Sequence, residues 1–325
     1  MEQPDLMSIV KRSLSLDARI EVPASWDEYE HVQEFLDNLG TKYPRLWYDS
    51  TRQIATVVAA PTPLHGYIAG DLVTSLANCC DRIMERGGVS EDIRRRVSAA
   101  TDVTQYSEAA HGLTIREWDG ALGYLGDDKE MKSMVAFEVG VSQSYRSLQE
   151  AISWCVCALH CHLGISMCLN EGPRGARPAI KYYANKQQVE EAVQQANYEL
   201  SVQLQHNPYG PLVRNGVTWF GMLEQVIIET FRCEDENCPP DTLLNPTQSF
   251  VFIRDGQSWP EDIPPNLREV VLSDCVPSYV LSGHEILESP VNFFQKSWVE
   301  EKISSLILET AVKRFRKKCV ARRTT

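Results

Sequence analysis

Residues 116–154 read REWDGALGYLGDDKEMKSMVAFEVGVSQSYRSLQEAISW. Two short apolar runs, Gly120–Leu125 and Met134–Val141, have the length and residue types of buried strands. Asp119 stands at the mouth of the first, and Glu138 sits inside the second. A carboxylate within Val-Ala-Phe-Glu-Val is costly to desolvate unless a cation or a base satisfies it. Two strand-borne carboxylates that faced each other would share one divalent cation, and Mg2+ suits such a pair because water and phosphate complete its shell. Ser144–His160 follows as a helix, with Leu148, Ala151, Ile152, Cys155 and Leu159 on its apolar side.

Working outward, Ser25-Trp-Asp-Glu28 supplies an N-cap with acids in the first turn, and apolar residues recur at helical spacing as far as Leu39 before Gly40. Pro44–Tyr48 and Ile54–Ala59 flank Asp49-Ser-Thr-Arg52 and predict a β-hairpin. The Pro-rich turn 60–66 opens a helix that runs to about Arg86 on the stripe Leu64, Ile68, Leu72, Leu76. On the far side, strands are expected at 165–169, 213–220, 225–232 and 249–254. A long helix is expected from Phe293 to about Cys319. Residues 186–205 read as a polar, Gln-rich helix, a solvent-exposed insertion, and residues 1–25 as a weakly ordered lead-in. The expected class is α/β: a mixed central sheet flanked by helices. The expected organisation is an N-terminal helical extension (1–43), an α/β domain (44–290) with its insertion near 186–205, and a C-terminal helix with a basic tail (291–325).

Composition bounds the function. The chain has 325 residues, 43% of them apolar, enough for a sizeable core. A net charge of −12 argues against a protein that coats nucleic acid along its whole surface, though not against a local basic groove. No apolar run is long enough to span a bilayer, so no membrane partner is expected. The first residues lack a secretory pattern, and the ten cysteines are read as reduced thiols of an intracellular protein, nuclear or cytoplasmic.

The ordered landmarks carry a family likeness. Leu46-Trp-Tyr-Asp49, Ile54-Ala-Thr-Val57, Pro61-Thr-Pro-Leu-His65-Gly66, Arg116-Glu-Trp-Asp119, Phe137-Glu138-Val-Gly140 and Leu148-Gln-Glu-Ala151 occur in that sequence. The chain resembles the restriction-endonuclease-like, PD-(D/E)XK nuclease superfamily, closest to its putative endonuclease branch and the fungal-type proteins of that fold. The resemblance covers about residues 44–170. It implies a restriction-endonuclease-like core and metal-dependent phosphodiester hydrolysis, with Asp119 and Glu138 holding Mg2+ and nucleic acid as the partner. It further implies an assisting role for His65. The family's lysine, two residues after the second acid, is here Gly140, and the proline before the first acid is Trp118. Where that lysine is displaced to the following helix, this chain offers Arg146, which stabilises phosphate charge but is a poor base. The alternative is a non-catalytic interaction protein that keeps the fold.

Other signals have plainer readings beside their functional ones. Asp119 and Glu138 could be a turn cap and a buried acid paired with Arg116 or Arg146, and His65 an exposed helix-start residue. Cys155-Val-Cys-Ala-Leu-His160-Cys-His162, with Cys168 beyond, is dense in metal ligands but contains no Cys-x-x-Cys knuckle, so core packing is the expectation. Cys233-x4-Cys238, in an acidic loop, is the other candidate for a metal, and a plain loop is the expectation. Residues 313–323 carry seven basic residues and no acid, either a nucleic-acid patch or a solvated helix end.

Overall fold

Strand and helix formers alternate along the chain, and the structure, a computed structural model, builds a mixed α/β arrangement from them. It describes residues 5–12, 14, 18–40, 43–109, 112–141, 144–175, 178–233, 235, 238–239, 242–259 and 269–321. Two compact units divide the chain: residues 1–62 with 102–119, and residues 63–101 with 120–325.

The smaller unit holds α1 (Leu6–Val10), β1 (Arg19–Pro23), α2 (Trp26–Leu39), β2 (Arg45–Asp49) and β3 (Ile54–Val58). It also takes the second part of β4 (Val97–Ala109) and the first part of β5 (Gly112–Leu125). The hairpin β2–β3 forms as expected, and β2 pairs with β5 through Tyr48 and Asp49. α2 begins in a full capping box between Ser25 and Glu28 and ends at Gly40 with φ +61°, the left-handed turn that glycine takes without strain. Residues 19–23 depart from the lead-in expectation. Arg-Ile-Glu-Val-Pro alternates and adds an edge strand to β3, placing Val22 in a core with Tyr29, Val32, Leu46 and Val57.

The larger unit begins with α3 (Pro63–Arg86) and α4 (Glu91–Arg94), then the remaining parts of β4 and β5. Next come β6 (Met131–Val141), α5 (Tyr145–Ala158), β7 (Leu163–Glu171), β8 (Lys181–Tyr183), α6 (Lys186–His206), β9 (Leu212–Arg214) and β10 (Val217–Phe220). After them stand β11 (Leu223–Phe231), β12 (Gln248–Arg254), β13 (Gln257–Ser258), α7 (Leu272–Cys275), α8 (Lys296–Arg316) and β14 (Cys319–Ala321). Its sheet runs β5-β6-β7-β11-β12-β13, with β6 and β7 parallel across the α5 crossover and the other neighbours antiparallel. Odd-numbered residues of β6 and β7, such as Phe137 and Ile165, join the core with α3 and α8. Even-numbered ones face α5, where Gly164 leaves room for Ile152 and Val156 to sit against the backbone. Helices therefore cover both faces.

Three expectations change in this unit. Residues 186–206 are helical, but Val189, Val193, Ala196 and Leu200 form a buried stripe that packs on α8, so the helix is not a solvated insertion. The strand expected at 213–220 is a hairpin: Asn215 and Gly216, with φ +52° and +73°, turn β9 into β10. The basic segment is folded in as well. Arg314 is buried, Phe315 packs edge-on against Trp219, and Cys319–Ala321 pairs with β8.

Candidate functional site

The acid expected to be awkward is deeply placed. Glu138 is 5% exposed, on the face of β6 that α5 covers, and its register partner on β7 is Ser166, also buried. Ser166 is in turn opposite Glu229 on β11, which is 3% exposed, and Glu229 is opposite Ser249 on β12. One row across four strands thus reads Glu138, Ser166, Glu229, Ser249, with two buried carboxylates either side of a serine. At strand spacing their backbones lie roughly 10 Å apart, within the combined reach of two glutamate side chains leaning over Ser166. Glu138 has polar company in the structure. Glu229 is only half satisfied: its Oε1 accepts a hydrogen bond from Ser249 Oγ at 2.8 Å. Its Oε2 is buried with no hydrogen-bond partner among the described residues. An orphaned, buried carboxylate oxygen is an expensive feature unless a cation offsets it.

The surroundings feel that charge. Burial and then the Glu229 carboxylate raise the Tyr145 phenol above its ordinary range, and Tyr145 is the first residue of α5. Burial, with the same carboxylate second, pushes the Cys168 thiol up to about 11. Tyr145 and Ser249 are both exposed, so the row ends at solvent there. Glu229 was legible by the rule that singled out Glu138, since it too is an acid within an apolar run, Val226-Ile-Ile-Glu229-Thr-Phe231. What the sequence does not carry is its register with Ser166, 63 residues upstream.

The other expected site residues are placed as follows. Asp119 is half-buried on β5, immediately before Gly120, and belongs to the smaller unit, whereas Glu138 belongs to the larger. Gly120 pairs with Phe137 in the larger unit's ladder. Arg146 is exposed in the first turn of α5, its Nε donating to Glu150 Oε1 at 2.9 Å. His65 is half-buried in the first turn of α3. Gly140, two residues after Glu138, pairs with Cys168.

Two further features compete for attention. A groove of about 920 Å³ in the smaller unit is lined by Glu30, Glu34 and Asp37 of α2, with Glu117 already bonded to Arg45 and to Thr104. Its acid lining repels phosphate. The cysteines expected to be core residues are so: Cys155, Cys157, Cys161 and Cys168 are buried, and His160 and His162 are exposed. Burial alone pushes the Cys161 thiol up to about 12. Cys157, however, meets the loop cysteines 233 and 238.

No family model matches the chain, and no curated protein matches it. Among the described residues no helix is long and apolar enough to cross a membrane.

Proposed function

We propose that the chain is a restriction-endonuclease-like protein acting in metal-dependent phosphodiester hydrolysis, with Glu138 at the centre of its acidic site. The observation that carries this is the buried row Glu138–Ser166–Glu229, whose orphaned Glu229 Oε2 has the character of an oxygen ligand for a hard cation. The succession α3, β4, β5, β6, α5, β7, with β6 and β7 parallel, is compatible with that core. Glu138 and Glu229 would hold Mg2+ within the larger unit. Bound Mg2+ supplies polarisation of the phosphoryl group and a more acidic water. Ser249 orients the Glu229 carboxylate, and the Tyr145 phenol, held protonated, stands at the open end of the row. Arg146 would offset phosphate charge, with His65 assisting from α3. Nucleic acid is the partner this reading names.

Gly140 in the lysine's place favours a second reading, a catalytically degenerate descendant that keeps the fold as an interaction protein. Mg2+- or Mn2+-dependent cleavage of DNA and RNA oligonucleotides by the full chain separates the two, with Glu138→Ala as control. Equal cleavage by the variant would place the activity elsewhere. No cleavage by either protein would retire the hydrolase and leave the interaction reading.

A further inference from the structure

We propose that Cys157, Cys233 and Cys238 form a three-thiolate binding site for a soft d10 cation, zinc foremost, that pins the 233–244 loop to α5. The inference is independent of the acid row.

The three sulfurs come from two distant stretches of sequence and lie within 4.8 Å of one another. A tetrahedral ion with Zn–S bonds of about 2.3 Å sets its sulfurs roughly 3.8 Å apart. Cys157 and Cys238 stand at 3.0 Å, so that pair opens by a little under 1 Å to take the ion. Thiolate ligands select zinc or copper(I) over magnesium and calcium. Among the described residues no fourth His, Cys, Asp or Glu joins the group, so the fourth position falls to water or an added ligand.

The placement is built rather than incidental. Gln149, Ser153 and Cys157 recur every four residues on one side of α5, and all three meet the same loop. Gln149 Nε2 donates to the Leu244 carbonyl at 2.8 Å, and the Leu244 N–H donates to Ser153 Oγ at 3.0 Å. Cys157 meets Cys238 one turn further along. Described residues from Arg232 to Thr247 form no helix or strand, and Leu243 is 44% exposed, so apolar burial does little to hold this loop. The Thr242 hydroxyl is within reach of the Cys238 sulfur as a hydrogen-bond donor. A hydroxyl donor to a ligating sulfur is what a metal's outer shell provides. A cation at the triad binds these cysteines as thiolates and displaces their protons.

The test uses the full chain, expressed with zinc and purified under reducing conditions without chelator. Metal content is read by mass spectrometry, and the stripped protein is titrated with Co2+ while sulfur-to-metal charge-transfer absorption is followed. About one zinc per chain and a Co2+ spectrum of thiolate ligation are expected. Cys233→Ser and Cys238→Ser, at partly exposed positions, should each lower zinc affinity at least about tenfold with far-UV circular dichroism unchanged. Thr242→Val should lower it by about 10–100-fold, and Cys319→Ser should leave it alone. Three results overturn the proposal: native protein that takes up neither zinc nor Co2+, stoichiometric zinc retained in Cys238→Ser, or a Cys157–Cys238 disulfide as the form isolated. Failure of oligonucleotide cleavage bears on the acid row and not on this site.

Discussion

Removing the carboxylate of Glu171 should be among the most damaging single substitutions in the larger unit. Arg314 presents two parallel hydrogen bonds to it, Nη1 to Oε1 at 2.7 Å and Nη2 to Oε2 at 2.8 Å, with side chains 9% and 1% exposed. Glu171 Oε1 also accepts the Gly221 N–H at 2.8 Å. In Glu171→Ala the guanidinium keeps, among the described residues, the Trp219 carbonyl at 3.3 Å and the Phe220 ring, so a charge stays buried without an ionic partner among them. Breaking a buried pair from one side costs about 3–5 kcal/mol. At about 2–4 °C per kcal/mol for a unit of this size, Tm falls by roughly 6–20 °C. The double variant Glu171→Met/Arg314→Met should recover most of that loss. Apolar isosteres of a buried pair gain about 1–4 kcal/mol, and the stranded Gly221 N–H returns about 1–3 kcal/mol of it. Urea unfolding followed by tryptophan fluorescence gives the cycle. A single-variant loss under about 1 kcal/mol, or a double variant as weak as Glu171→Ala, would refute the reasoning.

Three other outcomes follow from the same structure. Glu229→Met with Ser249→Ala removes the orphaned Oε2 together with the Ser249 hydroxyl that donates to Oε1; stability should hold or rise while Mn2+ binding by calorimetry falls, and unchanged Mn2+ binding would remove Glu229 from the acid site. Gly164→Ala drives a methyl to 2.7 Å from Ile152 and 2.9 Å from Val156, so α5 must shift off β7 at a cost of about 1–3 kcal/mol, readable as a lower urea midpoint. Hydrogen bonds from the Ser25 backbone N–H, then its hydroxyl, hold Glu28 below its ordinary 4.5. A depressed carboxyl stabilises the folded form above the unfolded value and loses that contribution as pH falls through the folded one. Carboxyl NMR titration should show Glu28 protonating below 4.5, and Ser25→Ala should bring it back up toward 4.5.

Local signals were readable wherever the physics is local. The Ser25 cap, the α3 stripe, the β2–β3 hairpin and the buried character of Glu138 each depend on residues a few positions apart, and each is where the sequence puts it. Asn215-Gly216 was equally readable as a turn, yet the apolar run around it reads as one strand until both left-handed residues are noticed. The α6 stripe was hidden differently. Its buried members are small or spaced among glutamines, so only the α8 surface beside them shows that face to be interior. Likewise α3 has its first-turn Leu64 N–H satisfied by Thr310 Oγ1 of α8, 246 residues away, which no capping pattern announces.

By itself the sequence determined the α/β class, most of the elements and one deeply buried acid, because hydrophobic period, caps and turns are set by neighbouring residues. Register and long-range docking decided the rest. They put Ser166 and Glu229 beside Glu138, turned Arg314 from a member of a basic run into the buried partner of Glu171, and brought Cys157 to Cys233 and Cys238. A single slip of strand pairing would send each of the row's side chains to the opposite face. Such coincidences are properties of packed layers, and no window of sequence contains both halves of any of them.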